Sequence, residues 1–320
     1  MNKQQLKIFL PNGSLQDVVE QLFRDAGLPV SYGKKRSYLG SLSSVYLNKM
    51  VDVVVSQFRP WDMPFYIANG SAHLAVTADD MIWNAGLLED ERITVLDHYP
   101  IARQGYSKTR LVIAVPNNSP IQRYKQLTVS RPMMPGTDRK SLVTEYYEGA
   151  TIWAHKEGMD LEIINCHGKL EAFRHFELAD AILENTESGD TLFENHWRVI
   201  HQIMESQTCL IANEKALADK TLGPTIKIIK RMLASVIAAR KHFMIEFNVT
   251  KKAFKDVKTI LLGYSGYLEK GQSPTISNLL NGDYEIKVVI PCNKLEDLLD
   301  RLDRRGVSSI ATKKCDHYIP

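Results

Sequence analysis

Residues 184–191 read Glu-Asn-Thr-Glu-Ser-Gly-Asp-Thr, and they are the part of the chain best equipped for chemistry. Ser188 and Thr191 bring hydroxyls, and Gly189 between them allows close approach to the backbone N–H groups. A helix could start over residues 192–197. Hydroxyls, N–H groups and a helix start in one place make a phosphate cradle. Glu184 and Glu187, just before it, suit sugar hydroxyls or a bound Mg²⁺, which takes oxygen ligands. Phosphate, ribose and metal together suggest a phosphoribosyl group. The same residues also fit an ordinary strand–turn–helix in which Ser188 or Thr191 is only a helix cap.

Such a loop must be carried by a strand. Residues 179–183 are apolar apart from Asp180, which is long enough for a buried strand and short for a helix. Earlier, residues 6–11 read as a first strand, Asn12-Gly13-Ser14 as a turn, and Ser14 as the cap of a helix. Leu15, Val18, Val19, Leu22 and Phe23 keep helical spacing up to Ala26-Gly27. The basic run Gly33-Lys34-Lys35-Arg36-Ser37 could meet phosphates or lie in solvent. Residues 51–58 form a fully buried type of strand that delivers Arg59, with Pro60 and Pro64 fixing the turn behind it. Open α/β sheets place ligand groups at that end of a strand.

Residues 93–96 and 111–116 read as strands beginning a second lobe. A strand over 142–146, a helix to 156 and a strand over 161–164 continue it. Residues 199–205 and 208–213 read as strands returning to the first lobe. Two α/β lobes joined by two crossing strands, with a cleft between them, make the architecture of bilobal periplasmic binding proteins. Apolar spacing over residues 219–241 predicts a long amphipathic helix. Residues 242–320 then read as β-α-β-β-α-β, the ferredoxin-like order.

A chain of 320 residues has room for two or three domains. Its net charge of +3 gives no general pull toward nucleic acid. It contains no apolar run of about 18 residues, so no membrane span is expected, and the N-terminal stretch lacks a signal-peptide core. Cys166, Cys209, Cys292 and Cys315 are widely spaced, which fits free thiols and a cytoplasmic setting.

The loop resembles the phosphoribosyl-pyrophosphate loop of the ATP phosphoribosyltransferases, and other stretches resemble that family in the same order. The opening strand–Pro11-x-Gly13-x-Leu15–helix is similar to the family's first unit. Arg59-Pro60-Trp61-Asp62-Met63-Pro64 resembles its Arg-Pro-x-Asp-Ile-Pro. Residues 72–80 align with Asp-Leu-Gly-Ile-Thr-Gly-x-Asp and end on Asp80, with His73 in place of Asp and Ala75 and Ala78 in place of Gly. Leu142-Val143-Thr144-Glu145-Tyr146 resembles Ile-Ala-Thr-Glu-Tyr, and Tyr147 stands where the family has Pro. Gly168-x-x-Glu171 resembles Gly-x-Val-Glu; Glu171 also reads as a first-turn helix carboxylate. Glu184 stands where the family has Asp. Ser273-Pro274-Thr275 resembles a segment of the long form's regulatory domain.

The resemblance implies the following expectations. Residues 1–97, with return strands over 193–218, form catalytic lobe I. Residues 98–192 form lobe II with the phosphoribosyl-pyrophosphate loop, and 219–320 a bridging helix and a ferredoxin-like (ACT-like) regulatory domain. Phosphoribose passes from phosphoribosyl pyrophosphate to N1 of ATP, opening histidine biosynthesis. Arg59, Arg36 and Glu171 are the implied catalytic residues. Glu184, Thr186, Glu187, Ser188, Gly189, Asp190, Thr191, Asp80, Thr144, Tyr146, Pro11 and Gly13 are the implied substrate contacts, with Glu184 toward Mg²⁺. Asn248 and Thr275 are the implied contacts for inhibitory histidine in a homo-oligomer, dimer to hexamer. A catalytically altered or regulatory paralogue, or a bilobal small-molecule-binding protein, fits the same residues.

Overall fold

The computed structural model describes residues 3–33, 39–101, 108–128, 140–168, 179–264 and 274–319. The chain divides into two compact units, Met1–Arg24 with Leu28–Lys230, and Asp25–Gly27 with Arg231–Pro320. No described helix is long and apolar enough to cross a membrane.

The first unit contains two sheets. Its opening strands are β1 (Gln5–Pro11), β2 (Val30–Tyr32), β3 (Leu39–Leu42), β4 (Asp52–Phe58), β5 (Leu74–Ala78) and β6 (Ile93–Tyr99). A 3-10 turn over Gly13–Leu15 precedes α1 (Gln16–Asp25), so Ser14 lies inside a turn and does not cap the helix. Helix α1 buries Val19, Leu22 and Phe23, which share one face at 3.6 residues per turn. Short helices α2 (Leu47–Met50), α3 (Met63–Ala68) and α4 (Asp79–Asn84) follow.

The next strands are β7 (Thr109–Pro116), β8 (Lys140–Thr144), β9 (Leu161–Asn165), β10 (Ala181–Thr186), β11 (Trp197–Ser206) and β12 (Thr208–Asn213). Helices α5 (Tyr147–Lys156) and α6 (Asp190–Glu194) lie among them, and α7 (Glu214–Ala218) follows. The first sheet has the order β2-β3-β4-β1-β5-β12-β6 and the second β11-β7-β10-β8-β9. Strand β7 is apolar over Leu111–Val115, the stretch that is buried on both faces. Leu111, Ile113 and Val115 pack with Leu142, Leu183 and Tyr146, while Val112 and Ala114 pack with Ile182, Leu192 and Trp197.

Two strands lie elsewhere than the sequence reading put them. Residues 93–99 do not begin the second lobe; β6 pairs with β12 on the first sheet. Residues 197–206 do not return to the first lobe; β11 pairs antiparallel with β7 in the second sheet. Apolar alternation gives the face of a strand and not its partner, which is why both were misplaced. Only Gln207 separates β11 from β12, so one nearly continuous strand carries the chain between sheets.

Parallel pairing of β1 with β4 and β5 puts their C-terminal ends, Pro11, Phe58 and Ala78, on one edge. Strands β8, β9 and β10 are likewise parallel and end together.

Helix α8 (Leu222–Ala239) is the long helix the spacing predicts, and Asp219 Oδ1 accepts the Thr221 and Leu222 N–H groups at its start, both at 2.8 Å. The second unit follows β13 (His242–Val249), α9 (Phe254–Gly263), β14 (Thr275–Asn278), β15 (Tyr284–Pro291), α10 (Leu295–Asp303) and β16 (Ala311–Lys314). Its antiparallel sheet, β14-β15-β13-β16, has the ferredoxin-like order. Its core sets Ile245, Phe247, Ile286, Val288 and Ile290 against Val257, Leu261, Leu298 and Leu302 of α9 and α10.

In the first unit, α4 of one lobe packs on α5 of the other. A Cβ at Gly149 would lie 2.4 Å from Trp83 Cζ3 and 2.9 Å from the Asn84 Cα, and the Gly149 N–H donates to Asn84 Oδ1 at 3.0 Å. Gly149→Ala is therefore expected to destabilise the protein by about 1–3 kcal/mol through overpacking. Chemical denaturation checks this, and wild-type stability would contradict the close approach of the two helices.

Candidate active site

A cavity of about 570 Å³ lies between the two lobes of the first unit. Glu184, Asn185, Thr186, Glu187, Ser188 and Thr191 line it from the second lobe. Ser14, Leu15, Trp61, Ala78, Asp80 and Met81 line it from the first. Its floor is the crossing strand at Ser206, Gln207 and Thr208, beside Lys108 and Thr109. Ser14, Trp61, Asp80 and the 184–191 loop follow the C-terminal ends of the parallel strands β1, β4, β5 and β10, where ligand groups gather in α/β sheets.

The loop has a defined shape. Strand β10 stops at Thr186 and α6 starts at Asp190, with Gly189 at φ +96°, the left-handed region that favours glycine. The Ser188 hydroxyl donates to Asp190 Oδ2 at 2.7 Å and accepts the Asp190 N–H at 3.2 Å. Ser188 thus closes a local turn, and the residue at the cap position is Gly189, without a side-chain cap bond. The expected helix over 192–197 is one turn, Asp190–Glu194, and Trp197 already belongs to β11. Gly189 and Asp190 shape the loop without lining the cavity.

Asp80 is the hub of the site. It is 1% exposed. Its Oδ1 accepts the Ser206 hydroxyl at 2.8 Å and the Met81 N–H at 3.1 Å. Its Oδ2 accepts the Tyr146 hydroxyl and the Asn185 amide, both at 2.6 Å. The Asp80 N–H returns a bond to Ser206 Oγ at 3.1 Å. Burial first, and then the neighbouring Asp80 charge, pushes the Tyr146 hydroxyl well above its ordinary pKa, which keeps it a donor. The Trp61 ring lies 4.7 Å from that of Tyr146, centroid to centroid. Asp80 therefore borders the cavity while spending its oxygens on the protein.

The remaining expected residues divide. Thr144 is fully buried; its hydroxyl donates to the Leu183 carbonyl and accepts the Tyr146 N–H, both at 2.9 Å, so it builds the turn that presents Tyr146. Pro11 pairs with Phe58, and Gly13 has φ +78° in the turn leading to cavity-lining Ser14. Arg59 follows β4, is exposed, and is not among the cavity-lining residues. Arg36 and Glu171 lie outside the described residues.

Glu184 and Glu187 both line the cavity, and Glu187 Oε2 is buried without a hydrogen-bond partner among the described residues. The described residues contain no group of three His, Cys, Asp or Glu placed to hold a metal ion. A pair of carboxylates fits Mg²⁺ that arrives with substrate phosphates, the usual mode for this ion.

In the second unit, Asn248 of β13 stands opposite Glu285, and Thr275 of β14 opposite Lys287. Both are exposed, and strand alternation puts them with Glu246, Glu285 and Lys287 on the sheet face away from the helices.

Sequence reasoning passed over Asn185, Ser206, Trp61 and Lys108. Asn185 hid among carboxylates. The polar pair Ser206-Gln207 between two strands was the available sign of a crossing point, and Trp61 between two prolines marked a fixed aromatic.

Comparison with known proteins follows the same lines. A family model described as ATP phosphoribosyltransferase matches residues 59–235, and one described as HisG, C-terminal domain, matches 239–313. An ATP phosphoribosyltransferase of Methanosarcina acetivorans is 32% identical, over 98% of this chain and 100% of that protein. One from Thermodesulfovibrio yellowstonii is 28% identical, with both chains wholly covered. A solved ATP phosphoribosyl transferase (HisG:HisZ) complex from Thermotoga maritima superposes with a TM-score of 0.54 at 19% identity. It covers 72% of this chain and 98% of that one, a likeness of fold.

Asp80→Asn replaces an acceptor by an amide whose N–H₂ opposes the Tyr146 or Asn185 donors. A loss of about 1–3 kcal/mol is expected, the usual result of leaving a buried donor unpaired. Denaturation of Asp80→Asn against wild type measures it, and equal stability would remove Asp80 as the hub.

Proposed function

The chain belongs to the ATP phosphoribosyltransferase family and carries that family's C-terminal domain, and on this premise we propose that it transfers phosphoribose from phosphoribosyl pyrophosphate to N1 of ATP, the first step of histidine biosynthesis. The observation that carries the reading is the Glu184–Thr191 loop lining one wall of a cavity whose other wall presents Trp61 and Asp80.

A bond forms between N1 of ATP and C1 of the ribose, and the bond from C1 to the pyrophosphate oxygen breaks, its electron pair leaving with pyrophosphate. N1 is already a nucleophile, so positioning and charge stabilisation do the work. Ser188 and Thr191 hold the 5′-phosphate in the turn that Gly189 shapes, and Glu184 meets the ribose hydroxyls. The Trp61 ring offers an apolar face for the purine. Arg59, with Arg36, neutralises phosphate charge, and Glu171 completes the set. Bound with the pyrophosphate, Mg²⁺ would be held by Glu184 and Glu187 and would offset the leaving group's charge.

Histidine is read as the inhibitor, taken up on the open sheet face at Asn248 and Thr275. A homo-oligomer, dimer to hexamer, suits a regulatory sheet whose edge strand β14 is exposed along its length. A cytoplasmic location goes with a biosynthetic step of this kind.

Pyrophosphate release, measured with phosphoribosyl pyrophosphate and a panel of purine nucleotides, tests the activity; release with ATP and none with any other purine is expected, and no release with any would refute it. Gly189→Val forces a branched residue into the left-handed region and is expected to raise the KM for the sugar pyrophosphate about tenfold or more, leaving that for ATP near wild type. Unchanged constants would return the loop to a plain turn. Calorimetric titration of histidine into the full chain should give saturable heat, weakened about tenfold in Asn248→Ala. A flat titration at millimolar histidine would end the inhibitor reading.

A further inference from the structure

The phosphoryl loop brings negative charge of its own. Glu184, Glu187 and Asp190 lie along it, and Lys108 is the one cation lining the cavity among the described residues. A phosphoryl group seated there needs positive charge from a neighbouring element. Strand β7 supplies it.

In the β7–β10 register Arg110 stands opposite Thr186 and Val112 opposite Glu184. Lys108 immediately precedes β7 and lines the cavity. Side chains alternate along a strand, so Arg110 and Val112 share a face. Val112 packs with Leu192 of α6, which identifies it as the face that carries the loop. Arg110 Nη2 donates to the Ser188 carbonyl at 3.3 Å and lies 3.6 Å from where a Cβ on Gly189 would be. Lys108 Nζ meets Glu205 Oε2 at 2.6 Å, with both side chains about half exposed, 53% and 52%. An ion pair that open to water contributes little, so a phosphoryl oxygen can take the place of the Glu205 carboxylate. Charge-assisted bonds to phosphate are among the stronger ones available to Lys and Arg.

We propose that Lys108 and Arg110 form a cation pair that selects the 5′-phosphoryl end of the sugar pyrophosphate. Lys108 contacts the phosphoryl oxygens directly. Arg110 is a positioning residue: it fixes the Ser188 carbonyl and so turns the loop's N–H groups toward the ligand. The inference rests on residues 184–191 being the phosphoryl loop.

Calorimetry of the full chain with ribose 5-phosphate and with ribose tests it. Wild type is expected to bind ribose 5-phosphate in competition with phosphoribosyl pyrophosphate. Lys108→Gln and Arg110→Gln should each weaken that binding about tenfold or more, raise the KM for the sugar pyrophosphate, and leave kcat, the weak binding of ribose and the affinity for ATP as they were. Lys108→Arg and Arg110→Lys should recover most of the loss, a rescue that a structural role alone would not give. Folded variants that bind ribose 5-phosphate as tightly as wild type would overturn the cation pair and leave the loop reading standing. Failure of wild type to bind ribose 5-phosphate while it binds ATP would overturn the loop reading, and the cation pair with it.

Discussion

A carboxylate buried to 1% exposure, with no cation against it among the described residues, is tolerable only where donors surround it, and Asp80 is such a group. Its partners come from three places. Ser206 belongs to the crossing strand, Tyr146 and Asn185 to the second lobe, and Met81 to the first turn of α4, as does Asp80 itself. Drawing the lobes apart would strip two donors from a buried charge, a costly move in a low-dielectric interior. The neighbouring Asp79 adds to the same junction, accepting the Gln207 N–H at 2.9 Å and returning a bond to the Gln207 carbonyl at 3.2 Å. The crossing strand is therefore a fixed floor of the cleft.

That rigidity suits the proposed chemistry. A transfer whose nucleophile needs no activation gains most from holding two substrates in register. The Asn185 side chain reaches Asp80 from β10, two residues before Glu187 and one after Glu184, so the hub also sets the start of the 184–191 loop. One buried carboxylate thus ties the geometry of the loop to that of the opposite wall.

What the sequence made legible was local. The loop over 184–191 stood out because hydroxyls, glycine and carboxylates fell within eight consecutive positions. The ferredoxin-like order of the second unit could be read because each element carries its own apolar period. Partnership between distant strands left no such mark. Nothing in residues 197–206 tells β11 that its neighbour is β7, and nothing in Arg110 announces that its strand runs beside the loop. Asp80 stood out as a family position but read as a ligand contact, since three of its four donors lie 66, 105 and 126 residues away in the chain.

The departures from the family pattern before α4 can now be separated by position. His73 precedes β5, at the end of the sheet opposite the cavity. Its Nδ1 accepts the Lys7 N–H at 3.1 Å, and its backbone bonds Lys7 and Asn213. Burial, and next the Lys7 charge, holds its imidazole below the usual histidine range, so a neutral ring serves as a strand-end acceptor there. Ala78 stands at the other end of β5 and lines the cavity. Its backbone is extended, φ −142° and ψ 159°, so alanine is unstrained there and a glycine is not required by conformation. The methyl group instead takes up space at the wall facing the loop. Any difference in nucleotide choice that traces to these two positions must therefore come from Ala78, through shape, since the histidine is on the wrong end of the strand to touch a ligand.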